Sequence, residues 1–241
     1  MMRWLWAPFL LALCGCSIMV PSLPLPARSP TPAAAAVTPP ETFRLSVVRL
    51  YGAAPLCGKS VEGTGFVYAP QRVVTAAHVV AGVIPSTSVV TTDDGDEYEA
   101  EVVAFDPDVD VAVLYVPDLP APALRIAEAR PGDVHMVGYP KDAGHAMMRP
   151  VEIEQRFEAE GPNLYREREV IRMVLSFSGE VSPGMSGAPL ITAGDTVAGM
   201  VFAANRDQAH HGYALPPDEL LPITDAARAA TRRVSTQKCD S

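Results

Sequence analysis

Three residues that lie far apart in the chain have the types and neighbours needed for nucleophilic catalysis. His78 follows an apolar run, Asp110 directly precedes another, and Ser186 lies between Gly184 and Gly187. A serine hydroxyl becomes a nucleophile when a histidine accepts its proton and a buried carboxylate orients that histidine. We therefore predict that His78, Asp110 and Ser186 form a catalytic triad.

Three aspartates compete for the carboxylate position of this triad. Asp106 and Asp108 lie in the turn ahead of the apolar run 111–114, and Asp110 borders that run. A carboxylate that is held away from water can fix the histidine tautomer and stabilise the imidazolium. The position beside a buried strand favours Asp110, whereas Asp106 and Asp108 have the setting of solvated turn residues.

The glycines around Ser186 predict an oxyanion hole. Glycine allows backbone conformations that direct successive N–H groups into one concavity. The N–H groups of Gly184 and Ser186 would then stabilise the charge that develops on a carbonyl oxygen. A Gly-x-Ser-Gly string alone also fits a glycine-rich turn, so the prediction depends on the three catalytic segments occurring together.

Residues 1–16 have the features of an export signal. Arg3 precedes an apolar run over 4–13, which is too short to span a bilayer as an ordinary helix and has the proportions of a signal peptide. The run ends in Leu-Cys-Gly-Cys, which looks like a bacterial lipobox and predicts lipidation of Cys16. A cleaved secretory signal and an uncleaved anchor are the alternatives. The prediction is an extracytoplasmic chain, held at the cell membrane by a lipid on Cys16.

The remaining chain divides into a linker and one folded unit. Residues 17–41 contain seven prolines and predict a disordered, extended tether. From 42 to 241, short apolar runs rich in Val, Phe and Tyr alternate with Gly, Pro and Asp clusters, which predicts an all-β domain. The first predicted strand covers 43–50. A helix is predicted over 218–233, where Pro222 allows only a start or a kink.

Charge and cysteine content limit the partners and the cofactors. The net charge is −9 and the cations form no basic stripe, which argues against nucleic acid. The histidines have no Cys or carboxylate cluster at ligand spacing, so no metal or other cofactor is expected. Cys57 and Cys239 are the cysteines that follow the targeting segment. An oxidising compartment favours one disulfide between them, with two unrelated free thiols as the alternative.

The order of the catalytic segments resembles that of the trypsin-like serine proteases. Thr-Ala-Ala-His ends at His78, Asp-Val-Ala-Val begins at Asp110, and Gly-Met-Ser-Gly-Ala-Pro-Leu covers 184–190. The string Gly-Thr-Gly-Phe at 63–66 is similar to that of the HtrA type. A closer resemblance is to the mycobacterial membrane-anchored acid-resistance proteases, the MarP type, and it is carried by residues 57–58, 62–70, 77–82, 137–140, 161–165 and 212–215.

This resemblance implies a fold and supports one pairing. It implies two six-stranded antiparallel β-barrels followed by a short C-terminal helix, and a disulfide between residues matching Cys57 and Cys239. It also implies a primary substrate pocket lined by Glu180, Val181, Ser182, Phe202 and Ala203, with Ala204 completing the strand.

Glu180 lies six residues before Ser186, where an acidic residue selects basic side chains in trypsins. A preference for Lys or Arg follows if Glu180 points into the pocket. The alternative is that Glu180 points to solvent, because successive residues of a strand face opposite sides.

Two residues depart from the family pattern. Met185 stands where the family has Asn, and Ala188 stands where it has a second Gly. Met185 cannot form the salt bridge by which digestive trypsins are activated, so activation by a newly cleaved N-terminus is not expected. Ala188 needs more room than Gly, which affects strand packing rather than chemistry. The MarP type also carries several transmembrane helices ahead of its protease domain, in contrast to the short signal and tether here.

The function predicted from these residues is an extracytoplasmic serine endopeptidase. Its substrates would be proteins of the cell envelope, cleaved in a stress response. One alternative is a catalytically weak or inactive protease-fold module that binds or scaffolds. Another is an α/β-hydrolase esterase. That class requires the motif Gly-x-Ser-x-Gly, a triad in the chain order Ser, Asp, His, and helices that alternate with the strands.

Overall fold

The computed structural model describes residues 35–84, 87–128, 133–192, 195–236 and 238–239. The predicted signal peptide, Cys16 and residues 17–34 of the predicted tether lie outside the described residues. Residues Ala33–Ser241 form one compact unit, and the two sheets described below belong to it. No helix within the described ranges combines the length and the apolar character needed to cross a membrane.

Fourteen strands and three helices occur in the described ranges. The helices are α1 (Glu41–Ser46), α2 (Ala77–Val80) and α3 (Pro217–Ala227). The strands are β1 (Val47–Ala54), β2 (Lys59–Ala69), β3 (Arg72–Ala76), β4 (Val89–Thr91), β5 (Glu97–Glu99), β6 (Glu101–Asp106), β7 (Val111–Tyr115), β8 (Arg125–Ile126), β9 (Val134–Gly138), β10 (Met147–Pro162), β11 (Glu169–Ser178), β12 (Pro189–Thr192), β13 (Thr196–Ala204) and β14 (His211–Leu215).

The first sheet is an antiparallel barrel with the strand order β5-β4-β1-β2-β3-β7-β6. β5 and β6 stand at opposite ends of this order, yet Ala100 alone separates them in the chain. The sheet therefore curls until its two ends adjoin. When β5 and β6 are counted as one bent strand, the barrel has the six strands that were predicted.

The second sheet has the order β12-β9-β10-β11-β14-β13-β8. β12 also pairs with β13, which closes six of these strands into a barrel. β8 is a two-residue strand that joins β13 in parallel, outside the closed set. The predicted fold, an all-β chain with two antiparallel barrels and a short C-terminal helix, is confirmed, and β8 is an addition to it.

One apolar core joins the two barrels. Phe66 and Val113 of the first barrel belong to the same buried cluster as Ile191 and Met200 of the second. Every residue of β3 is buried, so neither face of this strand is open to water. Burial of a Val or Phe side chain stabilises the fold by about 1.5–3 kcal/mol. The segments that follow β3 and precede β12 are therefore held at the joint between the barrels.

The strand predicted over 43–50 is wrong in its first half. The chain there forms α1, with Glu41 in the first turn and Ser46 Oγ donating a hydrogen bond to the Thr42 carbonyl. Pro40 is the N-cap of this helix, and its carbonyl accepts the backbone N–H groups of Phe43 and Arg44, each over 3.0 Å. Upstream of α1, Val37 exchanges two backbone hydrogen bonds with Met148, within the range predicted as tether.

The C-terminal helix is shorter than predicted. It begins at Pro217 and ends at Ala227, and it continues through Pro222. Beyond it, the chain returns to the first barrel. A disulfide joins Cys239 to Cys57, and the Thr236 carbonyl accepts hydrogen bonds from Gly82 N–H and Tyr165 Oη. The C-terminal segment is thereby fixed to the stretch before β2 and to the turn after α2.

Candidate active site

The pairing of β3 with β7 brings His78 and Asp110 together. Ala76 lies opposite Val111 in this antiparallel pair. The register continues past both strand ends, where Ala77 N–H donates to the Asp110 carbonyl over 3.1 Å. His78 is the next residue, at the second position of α2. The small buried side chains of Ala76 and Ala77 leave room for this close approach.

Both oxygens of the Asp110 carboxylate bind His78. Oδ1 accepts the His78 backbone N–H and Oδ2 accepts Nδ1, each over 2.8 Å. This arrangement assigns the ring proton to Nδ1 and leaves Nε2 as the acceptor. Asp110 takes a left-handed backbone conformation with φ of 71°, which aspartate tolerates better than most residues. Its side chain is 10% exposed, against 26% for His78, so the carboxylate is held away from water.

The other two aspartates of this segment have different partners. Asp106 Oδ1 accepts the backbone N–H groups of Asp108 and Val109 and shapes the turn before β7. Asp108 binds Arg168 and accepts a hydrogen bond from Asn163 Nδ2 over 3.0 Å. The expectation that Asp108 is a merely solvated turn residue is therefore wrong. The hydrogen bonds from Arg168, partly opposed by burial, hold the pKa of Asp108 below its usual range.

Ser186 lies in a tight loop between β11 and β12, packed against β2. Its carbonyl accepts Thr64 N–H over 2.9 Å, and the next residue, Gly187, donates to the Val201 carbonyl over 2.7 Å. Gly187 has φ of +88°, and a Cβ there would lie 2.0 Å from the Thr64 carbonyl oxygen. Thr75 Oγ1 donates to that same oxygen. Only glycine fits between the nucleophile segment and β2.

Gly63 shows how near the histidine segment and the serine segment are. An ideal Cβ on Gly63 would lie 2.6 Å from Val79 Cγ1 and 3.2 Å from the Ser186 carbonyl oxygen. Val79 directly follows His78. The absent side chain of Gly63 thus lets α2 and the serine loop approach the same point of β2. The structure thus joins His78 directly to Asp110 and places the backbone of Ser186 against the same strand, β2, that Val79 contacts.

The turn before Ser186 has the features of a type II turn. Met185 N–H donates to the Ser182 carbonyl over 3.1 Å, Pro183 is the second residue, and Gly184 has φ of +91°. The Pro183 carbonyl accepts Lys141 N–H over 2.7 Å. Because a trans peptide is planar, the Gly184 N–H of the same unit points away from Lys141.

Gly184 and Ser186 keep their N–H groups available. Within the described ranges, neither group donates to a backbone or side-chain acceptor. A Cβ on Gly184 would lie 2.5 Å from the Tyr139 carbonyl oxygen and 2.6 Å from Lys141 N. The loop that follows β9 therefore presses directly on the turn. Two N–H groups without internal partners can serve an external oxygen anion.

Val181, Phe202, Ala203 and Ala204 of the predicted pocket lie near one another, around β13 and β14. Ala203 lies opposite Tyr213 and Ala204 opposite Gly212, and a Cβ on Gly212 would lie 2.5 Å from Val181 Cγ2. The ring of Phe202 lies 6.5 Å from that of Tyr213. The Ser182 carbonyl accepts the hydrogen bond of the turn before Ser186.

The Glu180 side chain forms an ion pair instead of presenting a free carboxylate to a pocket. Arg149 Nη1 donates to Glu180 Oε2 over 2.6 Å, and the Glu180 side chain is 46% exposed. Half-exposed ion pairs contribute little to stability, but the pair neutralises the charge that would select a basic substrate residue. The sequence left two alternatives for Glu180, a side chain that points into the pocket and one that points to solvent. The structure matches neither fully, because the half-exposed carboxylate is paired with Arg149.

A cavity of about 540 Å³ opens beside the site. It lies among β1, β2, β4, β5 and the 142–144 loop, and it contains none of the predicted substrate-binding residues. Its lining consists of Arg49, Tyr51, Glu62, Val89, Thr91, Glu97, Asp142, Ala143 and Gly144. In the ranges that the structure describes, no three His, Cys, Asp or Glu side chains are grouped as metal ligands.

Several residues that position the site were missed from the sequence. Thr64 is the most central, because its Oγ1 accepts Tyr139 N–H over 2.9 Å and donates to the Gly184 carbonyl over 2.8 Å. The flanking glycines of Gly-Thr-Gly were a signal of close backbone approach there. Asp93 was missed altogether. It is buried at 6% exposure, although its Thr-Asp-Asp-Gly setting reads as a surface turn.

Burial and hydrogen bonding affect the ionisation of Asp93 in opposite directions. Burial disfavours its charged form, but hydrogen bonds from Ala146 N–H and from Arg44 outweigh that cost. The pKa of Asp93 consequently lies below its usual range. Burial also raises the pKa of Tyr139, and the nearby Asp93 charge adds to that rise.

Known proteins similar to this chain share its fold and much of its sequence. A family model described as "Trypsin-like peptidase domain" matches residues 63–200. The serine protease Rv3671c of Mycobacterium tuberculosis is 41% identical over 222 residues, which are 90% of this chain and 54% of that protein. Protease Do-like 1, chloroplastic, of Arabidopsis thaliana is 31% identical over 68% of this chain and 38% of that protein. The chain thus spans about half the length of the first of these relatives, and less of the second.

A crystal structure of the M. tuberculosis protease gives the same result in three dimensions. Its active form superposes with a TM-score of 0.77 at 38% identity, and the match covers 91% of this chain and all of that one. The family model covers more than half of the chain, and the sequence and the fold agree with it. The chain belongs to the family of trypsin-like serine proteases.

Proposed function

We propose that this chain is a serine endopeptidase in which Ser186 is the nucleophile and His78 the general base. The observation that carries the proposal is the pair of hydrogen bonds that the Asp110 carboxylate accepts from the backbone N–H and from Nδ1–H of His78. It fixes the tautomer in which Nε2 can accept a proton. Asp110 is in this scheme the group that orients His78 and stabilises its charged form.

The proposed reaction has two halves. Ser186 Oγ forms a bond to the carbonyl carbon of the scissile peptide while its proton passes to His78 Nε2. The C–N bond then breaks as His78 returns that proton to the leaving amine, which leaves an acyl-enzyme. Water attacks the ester in the second half, with His78 accepting its proton and giving it back to Ser186. Atoms and charges balance without a cofactor.

The oxyanion of both tetrahedral intermediates would lie against the N–H groups of Gly184 and Ser186. Their freedom from internal acceptors supports this role, as does the Lys141–Pro183 hydrogen bond that aims the Gly184 N–H away from Lys141. Loss of one such donor typically lowers kcat by about 10²–10³-fold.

The proposal is tested with a casein digest and a fluorophosphonate probe, which phosphonylates an activated serine. We expect the wild-type chain to digest and to label, and Ser186→Ala to do neither while remaining folded. The matched control is Ser178→Ala, at the end of β11 and outside the triad, which should behave as wild type. A Ser186→Ala chain with undiminished proteolysis would refute the proposal.

The substrates proposed are proteins of the cell envelope, cleaved during stress, with the chain held at the membrane by a lipid on Cys16. The signal-like segment and the Cys57–Cys239 disulfide support an extracytoplasmic place. Mass spectrometry of the mature chain tests the anchor: Cys16→Ser should abolish a diacylglycerol adduct that Cys14→Ser retains. Profiling new N-termini in envelope fractions from wild type and from Ser186→Ala tests the substrates.

The second candidate is a non-catalytic module on the same fold. It is favoured by Met185, which departs from the family pattern, and by the Arg149–Glu180 ion pair, which engages the acidic group of the predicted pocket. A native, disulfide-bonded chain that never labels with the fluorophosphonate would support this candidate over the enzyme.

A further inference from the structure

Asp93 is a buried carboxylate of the first barrel that reaches the second barrel. It lies in the turn between β4 and β5, and its side chain is 4% exposed. Its Oδ2 accepts Arg44 Nη1 over 2.6 Å. Its Oδ1 accepts Ala146 N–H over 2.7 Å and lies 3.4 Å from Tyr139 Oη. Unlike the catalytic aspartate, it contacts none of the triad residues.

The two residues that Asp93 Oδ1 holds bracket the loop 139–146. This loop connects β9 to β10 and turns at the Pro140–Ala143 hydrogen bond. Tyr139 is 1% exposed and Ala146 is 2% exposed. Two buried anchors at the ends of an eight-residue segment leave little freedom for the backbone between them.

The middle of the same loop supports the turn before the nucleophile. Lys141 N–H binds the Pro183 carbonyl over 2.7 Å, and the Tyr139 N–H reaches the Gly184 carbonyl through Thr64 Oγ1. The first contact holds the peptide that carries the Gly184 N–H, and the second holds the peptide that follows it. Displacement of the loop would let this peptide rotate and would withdraw its N–H from the oxyanion.

The charged groups around Asp93 come from three elements. Arg44 of α1 is the close counterion, and Asp94 lies 4.0 Å from the same guanidinium nitrogen. His145 Nδ1 lies 3.8 Å from Asp93 Oδ1, on a side chain that is 79% exposed. Within the described ranges, Arg44 is thus the one cationic side chain that is both close to Asp93 and largely buried.

We propose that Asp93, with Arg44 as its counterion, is a positioning residue for the oxyanion hole of this enzyme. The pair holds the 139–146 loop, and that loop orients the Gly184 N–H. The Asp93–Arg44 pair would replace the activating salt bridge of digestive trypsins, which Met185 cannot form. It joins α1 to the turn between β4 and β5 of the first barrel. The inference rests on the proposed function, because it assigns a support to the proposed oxyanion site.

The test compares four variants of the full chain: Asp93→Ala, Asp93→Asn, Arg44→Gln and the matched control Asp94→Asn. Alanine removes the anchor, asparagine keeps an acceptor for Ala146 but loses the charge, and Asp94 is the exposed neighbour in the same turn. We expect kcat for a fluorogenic peptide to fall at least tenfold in Asp93→Ala and less in Asp93→Asn and Arg44→Gln. KM should stay within about threefold, and Asp94→Asn within twofold of wild type.

Two readouts separate positioning from a merely structural role. A peptide boronic acid mimics the tetrahedral anion, so its affinity should fall by the same factor as kcat/KM. The low-field proton resonance of the His78–Asp110 hydrogen bond should persist, because the triad is untouched. If Asp93→Ala does not fold, Arg44→Gln decides by the same two readouts.

The inference is overturned if activity falls only in proportion to the folded fraction while boronate affinity per folded molecule is unchanged. It is also overturned if Asp94→Asn loses as much kcat as Asp93→Asn. A wild-type chain no more active than Ser186→Ala would instead refute the proposed function, and the inference with it.

Discussion

Replacement of Asp110 by asparagine changes one atom of the site and should cost most of its activity. The asparagine amide has one acceptor, whereas the Asp110 carboxylate accepts both His78 N–H and His78 Nδ1–H. If the amide oxygen serves the backbone N–H, the amide NH₂ faces Nδ1. The proton of the imidazole ring must then lie on Nε2, and a protonated Nε2 cannot accept the proton of Ser186.

The opposite orientation of the amide is also unfavourable. It would place the NH₂ group against the backbone N–H of His78, at a position only 10% exposed. An unsatisfied donor of this kind costs about 1–3 kcal/mol, which disfavours the productive tautomer by about 5- to 150-fold at 1.36 kcal/mol per decade. Loss of the negative charge that stabilises imidazolium adds to this. Together we expect kcat to fall by about 10⁴-fold.

The assay is kcat for a fluorogenic peptide at saturation, with the folded fraction measured by circular dichroism. The control is Asp108→Asn, two residues away, whose side chain binds Arg168 and Asn163 rather than His78. It should stay within about threefold of wild type. Asp110→Asn with more than a tenth of wild-type kcat would refute the assignment of Nδ1–H to Asp110.

Three further predictions concern stability and packing. Gly187→Ala should abolish fluorophosphonate labelling, because the new Cβ would lie 2.0 Å from a carbonyl oxygen of β2 at φ of +88°, whereas Gly161→Ala, with open space around it, should label normally. Because the pKa of Asp93 is lowered in the folded chain, its carboxylate stabilises the fold at pH values above its unfolded pKa. This stabilisation is lost as the pH falls through the folded pKa. The stability difference between wild type and Asp93→Asn in urea titrations should therefore shrink below about pH 4, and a constant difference would contradict the linkage. Cys239→Ser should lower the free energy of unfolding by up to roughly 5 kcal/mol for a closed loop of 182 residues, and an unchanged urea midpoint would show that the bridge adds nothing.

The segments of the proposed triad could be located from the sequence because the backbone geometry that they need leaves local traces. His78 needs small neighbours, and Ala76 and Ala77 supply them. Ser186 needs positive φ on both sides, and Gly184 and Gly187 have it. In each case the required backbone and the required side chain lie within a few residues of each other. A single sequence therefore records them without any knowledge of distant contacts.

The supports of the site could not be predicted, because their roles depend on the other barrel. Asp93 and Asp94 are equivalent in a Thr-Asp-Asp-Gly turn, yet one is buried and the other is exposed. The loop that buries Asp93 begins more than forty residues later. Likewise, Arg44 lies in a segment with the apolar pattern of a strand, and the helix that forms there is fixed by packing on the first barrel.

Met185 explains why such a support is needed at this position. A carboxylate before the nucleophile could order the serine loop from within, but Met185 is 2% exposed and packs in the core of the second barrel. It can fill space there, yet it cannot orient a peptide by hydrogen bonding. The orientation must then come from outside the loop, through Lys141 and Thr64, and the buried charge that holds the end of the loop containing Lys141 is that of Asp93. On this reasoning we infer that docking of the two barrels assembles the site without a newly cleaved N-terminus.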